Sequence, residues 1–412
     1  MHTTRATSRK DSLASLRRKA LPLSLSLLLC GALASAPAMA GTVGATTTPT
    51  GGSIIGGSGS ILQDGASVVV NQASNKLVLN WQSFNLGQDA SVRFNQPGAS
   101  AVALNRILDQ NPSQIFGQIS SNGQVFLINT HGIIFGTTAQ VNVGGLVAST
   151  LDLTPTDFLS NHFNLNAVGG SAGIVNHGTI AAASGGSVSL VGGKVENDGV
   201  IVANYGRINL DGADHAVLDF DGNGLINVQI TGALQQRLDA DEAAVANKGT
   251  LQADGGTVVL QASAAKDLFT NLVNNEGVID AHGISTDGGV VRLVGSGGNT
   301  VSNGDINVSG RHGGSVQLLS DRDVAVGGSV DASGAFGGGS IRAGGGARGG
   351  EGLLQAANTT VEAGASLNAD AKQSGDGGSI AVWSSQASDI AGTVCARGGA
   401  LGGDGGGIET SG

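Results

Sequence analysis

Four short stretches of this chain repeat one another, and the repetition constrains the fold more than any other feature. They read N-H-G-T-I-A-A from Asn176, N-D-G-V-I-V-A from Asn197, N-K-G-T-L-Q-A from Asn247 and N-E-G-V-I-D-A from Asn275. Each is Asn, a polar residue, Gly, a variable residue, an aliphatic, a variable residue and Ala. The series loosens into G-G-S-V-D-A-S-G from Gly327, G-A-S-L-N-A-D-A from Gly364 and A-G-T-V-C-A-R-G-G from Ala391. Between them run G-G-S-V-S-L-V-G-G from Gly185, G-G-T-V-V-L-Q-A-S from Gly255, G-G-V-V-R-L-V-G-S from Gly288 and G-G-S-V-Q-L-L-S-D from Gly313, with G-G-S-I-A-V-W-S-S from Gly377. Two strand types therefore alternate, N-x-G-x-φ-x-A and G-G-x-φ-x-φ, without sustained helical periodicity.

One such unit cannot bury its single row of aliphatics. Stacking unit on unit, with strands about 4.8 Å apart, makes a continuous core. The spacing is 21 residues from Asn176 to Asn197 and 28 from Asn247 to Asn275, which suits one coil of a parallel β-solenoid. At roughly 20–25 residues per coil the chain would form a rod about 70–90 Å long. Ile180, Ile201, Leu251 and Ile279 are the expected inward positions. Gly and Asn are expected at the corners, where tight turns favour positive φ, with Asn amides bonding along the stack. Composition agrees. Gly contributes 70 of 412 residues and charged residues 13%, yet 40% of residues are hydrophobic and mean hydropathy is +0.12, which opposes disorder. The chain reads as all-β, and a β-sandwich would not explain the repeated N-x-G signature.

Residues 1–40 differ. Arg5, Arg9, Lys10, Arg17, Arg18 and Lys19 precede the apolar run Leu21–Leu33, and Ala38-Met39-Ala40 offers a cleavage site before Gly41. That is the layout of a secretory signal peptide. The apolar run is too short for a membrane span, and Cys30 lacks the small residue that lipid attachment wants before it. Removing six basic residues and one acid (Asp11) from 21 and 31 leaves 15 against 30, a net charge of −15. Such a balance opposes nucleic acid as a partner. Cys395 is then the only cysteine, so no internal disulfide forms, which suits a chain that crosses a membrane unfolded. Cys395 itself is expected to be a small core residue. Residues 41–120 fit a cap over the otherwise open first edge, with strands at Ser67–Val70, Leu77–Asn80 and Ser91–Phe94.

The stretch W-Q-S-F-N-L-G-Q-D-A-S-V-R-F-N-Q-P-G-A-S-A-V-A-L-N-R-I from Trp81, followed by I-F-G-Q-I-S-S-N-G-Q-V-F-L-I-N-T-H-G-I-I-F-G from Ile115, closely resembles the haemagglutination-activity domain of filamentous-haemagglutinin-like exoproteins. These are the secreted members of two-partner secretion systems. The shared pieces here are Phe84-Asn85-Leu86-Gly87, the Asn105-Arg106 pair of L-N-R-I, and the run closing on Asn129-Thr130-His131-Gly132-Ile133. The resemblance covers most of the chain after the leader and is strongest over 80–232. It implies a right-handed parallel β-helix with an N-terminal cap, exposed at the cell surface or secreted. It also implies one partner, an outer-membrane β-barrel transporter whose periplasmic domains recognise this region. Where the family usually reads N-P-N-G-I, this chain reads N-T-H-G-I, keeping Asn, Gly and Ile. Gly132 is the expected positive-φ residue, and Asn129 can bond the turn's backbone through its side chain. The same five residues are the expected secretion-recognition motif.

The organisation expected is a signal peptide over 1–40, the two-partner secretion β-helix with its cap over 41–280, and Gly-rich β-helix repeats over 281–412, truncated or continuing. The expected function is that of an adhesin-like interaction protein without catalytic residues, cofactor or metal. The alternative is a β-helical enzyme acting on polysaccharide, whose mark would be a groove holding three or more carboxylates beside an Arg or Lys. The dense acid cluster Asp211, Asp214, His215, Asp219 and Asp221 has a D-x-D-G-N-G piece but lacks the downstream Glu of a calcium loop, and reads as a solvated turn. The seven histidines are scattered, and H-E-x-x-H does not occur.

Overall fold

The computed structural model describes residues 43–412 apart from 170–171, 221–224, 239–242 and 284. The leader therefore lies outside the described residues. Three long sheets run along the molecule: sheet I with 13 strands, sheet II with ten and sheet III with 13. One coil shows the pattern. Lys194–Asn197 lies in sheet II, Val200–Val202 in sheet III and Arg207–Gly212 in sheet I, and each pairs in parallel with its counterparts in the coils before and after. This is a parallel β-helix.

The G-G-x-φ-x-φ repeats are the sheet I strands, and the aliphatics of N-x-G-x-φ-x-A lie on sheet III. Two strand types were legible; the coil has three. The third precedes the Asn and is short, as in Gly173–Asn176 and Val245–Asn247. It carries only one or two inward aliphatics, too few to make a period. Ile180, Ile201, Leu251 and Ile279 are fully buried and stack directly on one another, as their spacing requires.

The corner after sheet II explains the Asn and the Gly separately. Asn176, Asn197, Asn247 and Asn275 are all fully buried. Each amide donates to the next side-chain oxygen at 2.8 Å, and Asn275 donates to Ser302 at 3.3 Å. The Asn176 oxygen also accepts from the Gly178 amide at 3.1 Å, so one side chain satisfies its own turn and its neighbour's. The glycines answer to close approach, and positive φ is not the reason: Gly199, Gly249 and Gly277 lack it. A Cβ on Gly199 would lie 2.2 Å from the Gly178 oxygen, and one on Gly249 2.1 Å from the Gly199 oxygen. Corner backbone stacks on corner backbone with no room for a side chain.

The first edges of sheets I and III are closed by antiparallel pairing. Ser53–Gly56 runs against Lys76–Trp81, and Gly59–Asp64 against Ser67–Gln72. From Ser67–Gln72 and Lys76–Trp81 onward the coils already stack in parallel, so the cap is confined to the first part of 41–120. The three sheets continue without a break across residue 280, since Val278–Asp280 pairs with Asp305–Asn307.

Asn197 and Asn247 are direct neighbours in the ladder although 50 residues separate them. Part of that length leaves the coil. His215–Phe220 and Ile226–Gly232 form a hairpin that, with Asn164–Asn166, makes a three-stranded antiparallel sheet. It packs on the outer face of sheet I around Val78, Leu104, Phe126, Val147 and Val191, a second core outside the helix. The short helix Pro155–Leu159, capped by the Thr154 hydroxyl accepting from the Asp157 amide, brings Phe158 into it. Phe126 is stacked on Phe220 at 6.4 Å and meets Phe158 edge-on at 6.0 Å. Cys395 is not in the core: it pairs with Asn368 and is half-buried, whereas its neighbour Val394 packs inward.

Candidate functional site

The N-T-H-G-I segment joins sheet I to sheet II. Gln124–Ile128 ends at it and Ile133–Phe135 begins after it. Asn129 is fully buried; its amide donates to the Asn111 carbonyl at 3.1 Å and the Ser113 hydroxyl at 3.0 Å, while its oxygen accepts from the His131 amide at 2.9 Å. Gly132 has φ of +120° and donates its amide to the Asn129 carbonyl at 3.1 Å. Ile133 is buried. Asn129, Gly132 and Ile133 are thus held by the fold, and the side chains turned outward belong to Thr130, half-buried, and His131, exposed. Their side chains touch each other, Thr130 Oγ1 lying 3.3 Å from His131 Nδ1.

Thr130 and His131 line a groove of about 200 Å³ together with Arg106, Leu108, Asp152 and Val168. Arg106 grips Asp152 with a forked contact, Nη2 reaching the two carboxylate oxygens at 2.7 and 3.0 Å. Leu108 and Val168 are more than half exposed, giving the groove an apolar rim. The motif expected to be read therefore sits beside Arg106 of the L-N-R-I motif.

The other family residues have structural duties. Asn105 is fully buried inside the helix, where its oxygen accepts the Trp81 indole N–H at 3.0 Å. Phe84 packs edge-on against Trp81 at 5.5 Å and Leu86 is buried. Asn85 accepts the Gln114 amide at 2.8 Å, and a Cβ on Gly87 would meet the Gly44 oxygen at 2.1 Å.

The acid cluster disperses. Asp211 is fully buried beneath the flanking sheet, where Gln261 donates to it at 2.7 Å and its other oxygen has no partner. Burial pushes its carboxyl well above the ordinary range, against the pull of Gln261 and Arg207. Asp214 accepts the Gln235 amide at 2.9 Å, His215 meets Asn166 at 3.0 Å and Asp219 is exposed. Asp221 lies outside the described residues. A solvated turn does not describe Asp211, whose side chain faces the second core.

A charged groove of about 690 Å³ does hold Asp267, Asp321 and Asp323 beside Lys266 and Arg322. Its carboxylates are already engaged: Asp267 by Arg322, Asp321 by the Ser296 hydroxyl and Gly297 amide, Asp323 by the Asn358 amide. They are not among the described His and acid groups whose ligand atoms converge within 4.8 Å.

The chain is a capped parallel β-helix with an antiparallel sheet laid on one outer face and a short turn motif beside a forked Arg–Asp pair. Residues 45–308 match the family model described as TPS secretion domain, and the chain belongs to that family. A crystal structure of the HMW1 secretion domain from Haemophilus influenzae is similar over 88% of this chain and 95% of that one, with TM-score 0.76 and 30% identity. A heme/hemopexin-binding protein of Haemophilus influenzae is 31% identical over 257 residues, covering 60% of this chain and 27% of that protein. A second protein of that name and species is 29% identical over 264 residues. The chain spans about a quarter of the length of these relatives. The chain thus carries the secretion domain of two-partner secretion exoproteins, a family whose members are exported across the outer membrane with a cognate transporter.

Proposed function

We propose that residues 41–280 direct export by presenting N-T-H-G-I, while unfolded, to periplasmic recognition domains of the transporter. The coils of 281–412 then extend the rod. The observation that supports this reading is the division within the motif: Asn129, Gly132 and Ile133 serve the fold, whereas folding leaves the His131 side chain exposed and Thr130 half so. Replacing both with Ala should change stability by no more than about 0.5 kcal/mol. Reduced release of Thr130→Ala/His131→Ala with an unchanged Tm supports recognition; normal release makes the segment architecture alone. The exported protein acts as an adhesin-like interaction protein, a reading consistent with its long repetitive surface. The charged groove at Asp267, Asp321 and Asp323 favours a second reading, a polysaccharide-active enzyme. Its test is cleavage of acidic polysaccharides by the purified protein and loss of cleavage in Arg322→Ala.

A further inference from the structure

At the corner after sheet III the coils repeat a local turn in which an Asn or Asp accepts the amide two residues on. Asn307 does this for Ser309 at 3.1 Å, Asp331 for Ser333 at 2.9 Å and Asn368 for Asp370 at 3.1 Å. Asp280 does it for His282 at 3.3 Å. The turn asks only for a side-chain oxygen followed by a small polar residue, as Asn307 and Ser309 show. An Asp followed by a His exceeds that need. The coil before adds a second acid: the Gly255 amide donates to the His282 carbonyl at 2.9 Å, which stacks Asp254 against His282.

His282 Nδ1 lies 2.8 Å from Asp280 Oδ1 and 3.4 Å from Asp254 Oδ1, and all three atoms fall within 4.8 Å of one another. The Asp254 oxygen is buried with no hydrogen-bond partner, while its other oxygen is held by the Gln252 amide at 2.9 Å. Asp280 is steadied by the Asn307 amide at 3.1 Å. Among the described residues no Lys or Arg forms an ion pair with either acid; their shared partner is an imidazole, charged only when protonated. Two carboxylates thus converge with one nitrogen; the Gln252 amide orients Asp254 from behind through its other oxygen, the support that ligands to a metal receive, while the Asn307 amide shares Oδ1 of Asp280.

We propose that Asp254, Asp280 and His282 bind a divalent transition-metal ion of the zinc type across two successive coils. Ligands 2.0–2.1 Å from a tetrahedral zinc stand about 3.3–3.4 Å apart, so the 3.4 Å edge already fits, while the 2.8 Å hydrogen bond between His282 and Asp280 must open to admit the ion. The imidazole nitrogen selects against calcium, which takes six to eight oxygens. Three protein ligands leave a fourth position for water or a ligand from outside.

The secreted chain, stripped with EDTA, is titrated calorimetrically with zinc chloride and melted with and without zinc. One ion per chain and a higher Tm with zinc are expected. Asp254→Asn and His282→Ala should each weaken binding on the order of tenfold or more and abolish the Tm shift, with His162→Ala as an unaffected control. Asp254→Asn keeps the shape of the side chain and decides the matter if His282→Ala fails to fold. Absence of stoichiometric binding, or binding unchanged in Asp254→Asn, overturns the proposal.

Discussion

Asn197 sits in the middle of a chain of buried amides, receiving from Asn176 and donating to Asn247. Asn197→Ala therefore removes the donor to the Asn247 oxygen and one of the two acceptors of the Asn176 amide, which keeps the Gly178 carbonyl at 3.3 Å, at about 1–3 kcal/mol for a buried group so deprived. Denaturant unfolding should show that loss, whereas Asn197→Ser should recover part of it. Asp211 gives a pH signature. Because burial holds its carboxyl well above the ordinary range, the folded protein keeps a proton that the unfolded chain releases. Its contribution is complete below the ordinary Asp value and is lost as pH rises through the interval up to the folded value. Asp211→Asn should remove that dependence, so its Tm should gain on the wild type more at about pH 8 than at about pH 4.

The elements of the helix were legible in unequal measure, and Phe126 shows why. In sequence it is one apolar residue in V-F-L-I; in the structure it faces outward from sheet I into the second core, between Phe158 and Phe220. Strands covered on both faces read as unbroken apolar runs, so the sequence does not say which residues look outward. The covering hairpin could be suspected only from the 50-residue gap in the Asn series, where the acid cluster drew attention to charge instead. Phe126→Ala should cost about 3–5 kcal/mol in unfolding experiments, as a buried aromatic does. The turn at 129–133 was readable in Gly132, whose positive φ the spacing demanded. Less visible was how deeply Asn129 is engaged. It makes three side-chain hydrogen bonds where one to the turn was foreseen, so Asn129→Ala should lower stability by more than the loss of a single bond, about 1 kcal/mol. Release and Tm would then fall together in that variant, and Thr130 and His131 are the residues that separate recognition from folding.

On the scale of the whole molecule, stability comes from stacking rather than from cross-links. The three sheets share one interior from Val68 to Ala396, and the described chain has a single free cysteine. A chain built this way can pass a membrane unfolded and form its core as coils add one upon another, each burying the aliphatics of the last. Acidic net charge keeps the unfolded chain soluble on the way. We propose that this chain leaves the cell through a dedicated outer-membrane partner. It is tested most directly by expressing residues 1–308 with and without the cognate transporter and measuring the protein in the medium. Release is expected only when the transporter is present, in a protease-resistant, β-rich form. Equal release without the transporter would contradict it.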